Sequence, residues 1–329
     1  MTIYLSATDV ARMHETGLIG IADYVEAVEA AYRDQGQENF QILPRQNFYV
    51  ERADGKKPGS LKIGGGKLGG VGVMGSSMYS TGYGEMNLWA IAFSTTTGKV
   101  EGIVHGHLIG RMKTGATAAV AARHMSRPDS RIAAIIGTGD QAETQLMGLA
   151  AVRPISEARI FSRNADNRAT FVAWAAKALP NLRTHAVASA QAAVEGADIV
   201  VTVTNSKTPV LEASWIAPGA HCNFVGAHYP KQREVDAAVL KRGRVIVDDL
   251  DQAWNEKGEL LMPLEAGEIT RDIVLGDIGS VIAGRVKART SPTDITIFLS
   301  GGTALEYMGS SAMLIRKATA AGLGLNLPE

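Results

Sequence analysis

The sequence predicts an α/β protein that contains a doubly wound parallel sheet and a second, smaller α+β domain. Short apolar runs alternate with helical patterns from 131 to 300, and a glycine-rich turn follows the first of these runs. Before residue 115, glycine clusters and turn signals replace this rhythm. Unbroken apolar runs between helices are typical of parallel strands that are covered on both faces.

The parallel sheet is predicted from the middle of the chain. RIAAIIG, at 131–137, is a short and almost continuously apolar run, as a buried strand is. The helical pattern after 167 carries Phe171, Trp174 and Ala175 on one face. The predicted strands are 131–137, 157–162, 183–188, 198–204, 220–226, 244–249 and 295–300, and the predicted helices are 141–152, 167–179 and 190–197.

The two ends of the chain predict the smaller domain. The segment STTTGK, at 94–99, has the residues of a hairpin turn, which indicates a mostly antiparallel sheet. We place this domain at 1–115 together with 300–329, and the parallel sheet at 116–299. Its other predicted elements are an amphipathic helix at 24–36 and strand and turn segments through 42–106. Two further helices, at 115–126 and 303–324, are predicted to bridge the two domains.

Composition excludes several classes of protein. The 33 basic and 33 acidic residues cancel, which argues against nucleic acid or a membrane surface as a partner. Cys222 is the single cysteine, so we expect a buried, unreactive thiol in a reducing compartment. The N-terminal segment lacks an export pattern, and no apolar run approaches about 18 residues. We therefore expect a cytoplasmic protein.

The segment IIGTGDQAETQ, at 135–145, has the pattern of a phosphate-binding turn between a strand and a helix. Gly137 permits the tight turn, Gly139 lets the backbone approach a pyrophosphate, and Ala142 allows close packing of helix on strand. The helix N-terminus then faces the anion. An ordinary strand-to-helix corner is the alternative. The candidate dinucleotide-binding residues here are Gly137, Thr138, Gly139, Asp140, Gln141 and Ala142.

Two other strand ends are candidates for dinucleotide contacts. An acid after the second strand would select NAD and a cation NADP. Arg163 favours NADP, but a guanidinium also stacks on the adenine of either cofactor, so NAD and NADP both stay open. The segment after the fourth strand either lies along the dinucleotide or is a polar loop. The candidates are Ser162, Arg163 and Asn164 after the second strand, and Thr202, Val203 and Thr204 after the fourth.

Four stretches in a fixed order resemble the ornithine cyclodeaminase/mu-crystallin family. The likeness extends over most of the chain and is firmest from 110 to 306. The GxGxQAxxQ form and TSPTDITIFLSGG are more distinctive than the glycines alone. The stretches are KTGATAAVAARHM (113–125), IIGTGDQAETQ (135–145), NFVGAHYPKQREVD (223–236) and DIGSVIAGRVKARTSPTDITIFLSGGTALE (277–306).

The resemblance implies a fold, a partner and a chemistry. It implies a homodimer whose N-terminal substrate domain is completed by the C-terminal helix, a Rossmann domain for NAD or NADP, and an active site in the cleft between them. Family members include cyclodeaminases, alanine dehydrogenases, ketimine reductases and a protein that binds NADPH and thyroid hormone. Their shared chemistry is hydride exchange at a carbon that bears nitrogen. Further candidate cofactor residues in the resembling stretches are Thr114, Val225, Gly226 and Gly302.

Several residues depart from the family pattern. Lys113 stands where the family has an arginine that grips the substrate carboxylate, so it offers a point charge without bidentate geometry. His228 stands where cyclodeaminases carry an aspartate, which argues against cyclodeaminase activity. A later family aspartate is missing near Glu306-Tyr307. The family lysine after GV is replaced around Ser76-Ser77, and Lys62 is the candidate to supply its amine.

The remaining candidates follow from the chemistry of imino-acid reduction, which needs a cation for the carboxylate, a proton donor for the nitrogen and a nearby nicotinamide. We predict Arg45, Lys62 and Lys113 as substrate-binding residues, and Lys62 and His228 as catalytic residues. The alternatives are a solvated strand edge for Arg45 and Lys62 and a surface loop for His228. These cations have no matching acidic residue beside them in the sequence. They therefore suggest a dicarboxylic substrate such as iminosuccinate, which would be reduced to aspartate.

Three functions are therefore under consideration. The first is an NAD(P)H-dependent reductase of an α-imino acid, or an amino-acid dehydrogenase. The second is a cyclodeaminase that uses bound NAD, and the third is a non-enzymatic NAD(P)-binding protein. We predict no metal, because the histidines lack ligand spacing; His105 and His107 would share one face of a strand, with no third ligand.

Overall fold

The computed structural model describes residues 2–51, 59–84 and 86–328, which form two compact units. The first unit is Met1–Lys113 with Gly302–Glu329, and the second is Thr114–Gly301. The junctions fall at 113 and 302, where the sequence analysis placed them at 115 and 300. Residues 52–58 and Glu85, inside the stretch predicted as antiparallel sheet, lie outside the described residues.

Within the described residues, fifteen strands form two sheets, one in each unit. In chain order they are β1 Thr2–Leu5, β2 Phe40–Val50, β3 Gly59–Leu68, β4 Val73–Thr81, β5 Asn87–Ser94, β6 Val100–His105, β7 Ile132–Ile136, β8 Glu157–Phe161, β9 Arg183–Ala186, β10 Ile199–Thr202, β11 His221–Phe224, β12 Gly243–Val247, β13 Val274–Asp277, β14 Ile295–Leu299 and β15 Leu325–Leu327.

Eleven α-helices connect or cover the strands of the described chain. They are α1 Ala7–Glu15, α2 Ile21–Gly36, α3 His107–Met125, α4 Ala142–Val152, α5 Ala165–Ala178, α6 Ala190–Val194, α7 Ala237–Leu240, α8 Leu250–Glu256, α9 Gly258–Glu265, α10 Ile278–Ile282 and α11 Ala304–Ala320.

The sheet of the first unit has the strand order β15-β1-β6-β5-β4-β3-β2. Its pairs are antiparallel except for β1 with β6, and the segment STTTGK joins β5 to β6 as the predicted hairpin. Helix α11 packs on this sheet and on α2, whose Val25, Val28 and Tyr32 are fully buried at helical spacing. The expected α+β domain with a mostly antiparallel sheet is therefore confirmed for the described residues.

The sheet of the second unit has the order β13-β12-β14-β11-β10-β7-β8-β9, and all of its pairs are parallel. Alternate residues of β7 enter different cores: Ala133 and Ile135 pack in one cluster, Ala134 and Ile136 in the other. Both faces are thus covered, and the predicted doubly wound α/β fold is confirmed. The chain reverses direction across the sheet between β7 and β10, which is the switch point where ligands bind in such folds.

Helix α3 differs most from the predicted elements. It begins at His107, whereas the sequence predicted a helix only from 115. Gly110 and Gly115 lower the helical propensity of its first half, but Ile109 and Met112 are buried there, and packing outweighs propensity. His105 ends β6 and His107 begins α3, so the expectation that they share a strand is wrong.

Two buried titratable groups of the second unit, Cys222 and His221, stay neutral. Burial raises the pKa of the Cys222 thiol to about 12, and the thiol is free and fully buried, as expected. Burial also lowers the pKa of His221 to about 3, and its ring bonds Thr296 and Asn223 instead. Among the described residues, no helix has the length and apolarity needed to cross a membrane. No cluster of potential metal ligands occurs in that same part of the chain.

Candidate functional site

The glycine turn after β7 contains two glycines that serve different purposes. Gly137 has φ 109°, and a side chain there would come within 2.5 Å of the Val203 carbonyl oxygen, so the fold itself requires glycine. Gly139 has an ordinary φ, and an added Cβ would meet no atom within 4 Å. The space beside Gly139 is therefore open to an incoming group, as a pyrophosphate-binding turn requires.

Helix α4 begins at this turn without a side-chain cap. Gln141 occupies the capping position and makes no capping hydrogen bond, and its buried Oε1 has no hydrogen-bond partner. Ala142 is fully buried, which allows the predicted close packing. Five other helices of this unit are capped, by Asn164, Ser189, Asp236, Asp249 and Asp277. The uncapped N-terminus of an 11-residue helix is a suitable anion site. The residues of this turn therefore fit the pyrophosphate of a dinucleotide.

The end of β8 is a hydrogen-bonded hydroxyl cluster. Thr138 Oγ1 donates to Ser162 Oγ at 2.9 Å, and Ser162 Oγ donates to the carbonyl oxygen of Asn164 at 3.1 Å. The Asn164 side chain caps α5 by accepting from Asn167 N at 3.0 Å, so it is already engaged in the fold. Arg163 is exposed. No acidic residue occupies 162–164, and the choice between NAD and NADP stays open.

The ends of β10 and β11 are held by Glu234, a residue that sequence reasoning missed. Its carboxylate accepts hydrogen bonds from Thr202 Oγ1 at 2.7 Å, from Thr204 N at 2.6 Å and from Gly226 N at 2.7 Å. The Thr202 hydroxyl is therefore buried and used inside the protein. Val203 and Val225 are also buried. Glu234 lies within the stretch 223–236 that resembles the family, but nothing in the sequence of this stretch indicates that its carboxylate is buried.

His228 lies in the loop after β11. Its Nδ1 is 3.0 Å from the carbonyl oxygen of Gly226, and its ring contacts that of Tyr229 with centroids 4.8 Å apart. Because a carbonyl only accepts, Nδ1 carries a hydrogen, which leaves Nε2 as the ring nitrogen that can gain or lose a proton. The side chain is half-buried, and both of these contacts are to residues of its own loop.

In the first unit, Lys113 forms an ion pair that the sequence analysis did not foresee. Its Nζ is 2.5 Å from Glu306 Oε2, and both side chains are buried, with exposures of 5% and 0%. The other carboxylate oxygen of Glu306 accepts from the Tyr32 hydroxyl at 2.5 Å. The expectation that no acid balances the candidate cations is therefore wrong. The missing family aspartate had drawn attention to 306–307, but no signal linked Glu306 to Lys113.

Two tyrosines complete this cluster. Lys62 Nζ lies 5.9 Å from the centre of the Tyr79 ring, and Lys113 Nζ lies 4.6 Å from that of Tyr307. The two rings are 6.1 Å apart, and Arg45 Nη1 donates to the Tyr79 hydroxyl at 3.0 Å. Burial raises the pKa of Tyr307, so its hydroxyl stays protonated. Lys62 is only 4% exposed, which rules out the solvated strand edge for this residue.

Gly302 and Thr303 directly precede helix α11, and Gly302 lies beside the same lysine. Gly302 has φ 73°, and a Cβ there would lie 2.7 Å from Lys113 Nζ. The structure thus places Gly302 in the first unit with the cations, although it was predicted to bind cofactor. Thr303 is 2% exposed, and its hydroxyl has no hydrogen-bond partner. Thr114, the next residue after Lys113, accepts from Gln145 Nε2 through its carbonyl at 3.2 Å.

A doubly wound sheet with an open glycine turn, joined to an α+β unit with buried cations, defines a dinucleotide-binding α/β protein. The chain belongs to the ornithine cyclodeaminase/mu-crystallin family, which it matches over residues 7–322. The resemblance found in the sequence is confirmed.

Individual relatives are similar over most of their length. Delta(1)-pyrroline-2-carboxylate reductase of Paracoccus denitrificans is 32% identical over 65% of this chain and 67% of its own. Alanine dehydrogenase of Archaeoglobus fulgidus is 29% identical over 93% of this chain and 94% of its own. The solved structure of Thermococcus litoralis Delta(1)-pyrroline-2-carboxylate reductase with NADH and L-proline has a TM-score of 0.89 and 28% identity, and covers 99% of this chain and 100% of that one.

Proposed function

We propose that this protein is an NAD(P)-dependent oxidoreductase that reduces the C=N bond of an α-imino acid with NAD(P)H, or oxidises the corresponding amino acid with NAD(P)+. One observation carries the proposal: the chain combines a turn suited to a pyrophosphate with a cluster of cations suited to a carboxylate, in which Lys62 and Lys113 are buried and Arg45 is half-buried. The family contains reductases and dehydrogenases of this chemistry, and a similar structure holds NADH with an amino acid.

The cofactor, when bound, supplies the hydride to the carbon of the C=N bond. Gly137–Ala142, Ser162 and the loops after β10 and β11 would hold the cofactor, and the uncapped N-terminus of α4 is suited to its pyrophosphate. NAD and NADP are both candidates. Among the three residues expected near the ribose, the exposed Arg163 is the cation, and it could bind a 2′-phosphate or stack on an adenine ring.

The substrate is held by the cations of the first unit. Arg45 and Lys62 bind its carboxylate, while Lys113, whose charge is balanced by Glu306, adds hydrogen-bond donors without net charge. Lys62 or His228 keeps a proton on the imine nitrogen, because an iminium accepts hydride far more readily than a neutral imine. His228 in place of the cyclodeaminase aspartate disfavours ring closure with loss of ammonia.

A substrate panel tests the proposal. Oxidation of NADH and NADPH is followed with pyrroline-2-carboxylate, with pyruvate plus ammonia and with oxaloacetate plus ammonia, and ornithine is checked for conversion to proline. Turnover of at least one imino acid is expected, and the preferred one identifies the substrate class. Proline formation from ornithine alone would replace the proposal with a cyclodeaminase. Binding of cofactor without oxidation by any substrate would identify a binding protein.

We also propose that the protein is a cytoplasmic homodimer that pairs through the sheet of the first unit. On β5, Leu88, Ala90 and Ala92 face α11 and are fully buried, so Trp89 and Ile91 lie on the opposite face. That face is apolar and partly exposed. It continues across the strands through Phe48 and Leu61 on β2 and β3, and Trp89 stacks with Tyr4 and His105. Large exposed apolar surfaces of this kind mark protein interfaces, and a second copy is the commonest partner.

Replacing Ile91 by glutamate is expected to convert the dimer to a monomer, because pairing would bury an unpaired carboxylate. Sedimentation equilibrium would then give the chain mass of 34.8 kDa, in place of twice that mass. Thr96→Glu, in the exposed turn of the same hairpin, is the matched control and should remain dimeric. A monomeric wild-type protein, or an Ile91→Glu variant that stays dimeric, would overturn this assignment.

A further inference from the structure

The strongest feature outside the residues assigned so far is a buried polar network at the carboxyl edge of the parallel sheet. Glu234, Glu259 and Lys257 all have 0% exposure. Charged groups at this depth are costly unless each is satisfied by hydrogen bonds or opposite charge, so their arrangement reflects a specific requirement. None of them belongs to the turn after β7 or to the cation cluster.

Glu234 connects two strand ends that belong to the same half of the sheet. Thr202 ends β10 and Thr204 follows it, whereas Gly226 lies two residues after the end of β11. All three donate to the one carboxylate at 2.6–2.7 Å. A side chain at Gly226 would collide with the Thr204 carbonyl oxygen and lie 2.5 Å from Glu234 Oε1, so the two loops are in close contact only because this residue is glycine.

The network continues from Glu234 to two further segments. Its backbone N donates to Glu259 Oε1 at 3.1 Å, and Glu259 Oε2 lies 3.7 Å from Lys257 Nζ. Lys257 Nζ donates to the carbonyl oxygen of Ala227, next to His228, and to that of Ser300 after β14, the latter at 3.0 Å. Three neighbouring strand ends, those of β10, β11 and β14, are therefore joined by three buried side chains.

In doubly wound folds, the two halves of the sheet hold the two halves of a dinucleotide. The strands β7, β8 and β9 form the half whose turn fits the pyrophosphate and adenosine. The strands joined by Glu234 form the other half, across the switch point between β7 and β10. Their loops are therefore placed to hold the nicotinamide and its ribose.

We propose that Glu234 is a positioning residue that fixes the loops after β10 and β11 for the nicotinamide half of the cofactor. The inference rests on the proposed function, because it assumes that a nicotinamide dinucleotide binds this edge. The carboxylate suits the task because all three of its neighbours can donate, and an ionised carboxylate only accepts. An amide in its place would turn an N–H₂ group towards at least one backbone N–H group. Burial also raises the pKa of Glu234, so the loops lose an acceptor on acidification at a higher pH than an exposed glutamate would allow.

The test compares ligands that use one or both halves of the sheet. Glu234→Gln is expected to weaken binding of NADH, or of NADPH if the wild type prefers it, by about tenfold, the loss of about one charge-assisted hydrogen bond. Binding of 5′-AMP, which uses only the adenosine half, should be unchanged. Glu157→Gln is the matched control, because Glu157 begins β8 at the opposite edge of the sheet and pairs with Arg159. It should leave both affinities unchanged.

Thr202→Val provides a second variant if Glu234→Gln does not fold. It removes one donor while keeping the shape of the side chain, and a several-fold weaker affinity for NADH with unchanged 5′-AMP binding is expected. An equal loss of affinity for NADH and 5′-AMP, or an unchanged affinity for NADH, would overturn the role of Glu234. A wild-type protein that binds neither reduced cofactor would instead overturn the proposed function, so the two failures are distinguishable.

Discussion

Replacing Lys113 by methionine is expected to destabilise the protein by about 3–5 kcal/mol, because the buried carboxylate of Glu306 would lose its opposite charge. The Tyr32 hydroxyl would remain as its only described side-chain donor. Urea unfolding measures this loss. We also expect the KM for the imino acid to rise by at least about tenfold, and the affinity for NADH to stay within about twofold of the wild type.

The double variant Lys113→Met, Glu306→Gln separates the two effects. Glutamine keeps an acceptor for Tyr32 and removes the unpaired charge, so most of the stability should return. Substrate use should remain impaired, since the lysine is still absent. Equal losses of substrate and cofactor binding in the single variant would contradict the assignment of Lys113 to the substrate. Full recovery of substrate use in the double variant would show that Lys113 serves stability alone.

Replacing Gly139 by valine is expected to weaken dinucleotide binding on the order of 100-fold, or about 2.7 kcal/mol, without unfolding the protein. The added side chain meets no protein atom within 4 Å of its Cβ, and φ at Gly139 is not in the left-handed region. It would instead occupy the path of the pyrophosphate. Titration with NADH by fluorescence, beside a thermal unfolding curve, measures both quantities.

Gly137→Ala is the contrasting control for this turn. Its φ of 109° and the Val203 carbonyl oxygen at 2.5 Å leave no place for a Cβ, so this smaller change should lower the melting temperature. Wild-type affinity for NADH in Gly139→Val would contradict the assignment of the turn to the cofactor. Unfolding of Gly139→Val would show that this glycine is structural too, and Gly139→Ala would then decide its role in binding.

Most of the fold was predictable because its signals are local. Buried strands such as β7 are short apolar runs, and the turn at 135–145 carries its glycines at fixed spacing. Helix α3 was predicted too short because its glycines lower the helical propensity of its first half. Ile109 and Met112 are buried there by tertiary packing, which no local pattern reveals. The sequence analysis also missed α8, α9, α10 and β13, because these short elements depend on tertiary packing in the same way.

The same distinction between local sequence signals and tertiary packing applies to the functional site. The turn that fits a dinucleotide, the cations of the first unit and the family could be found in the linear order of residues, because motif chemistry depends on near neighbours in the chain. The pairing of Lys113 with Glu306 spans 193 positions, and that of Tyr32 with Glu306 spans 274. Only the packing of distant segments brings such groups together. Tertiary structure alone therefore decided that one cation is neutralised and that Glu234 joins two strand ends, because charge balance in a buried site depends on distance in space.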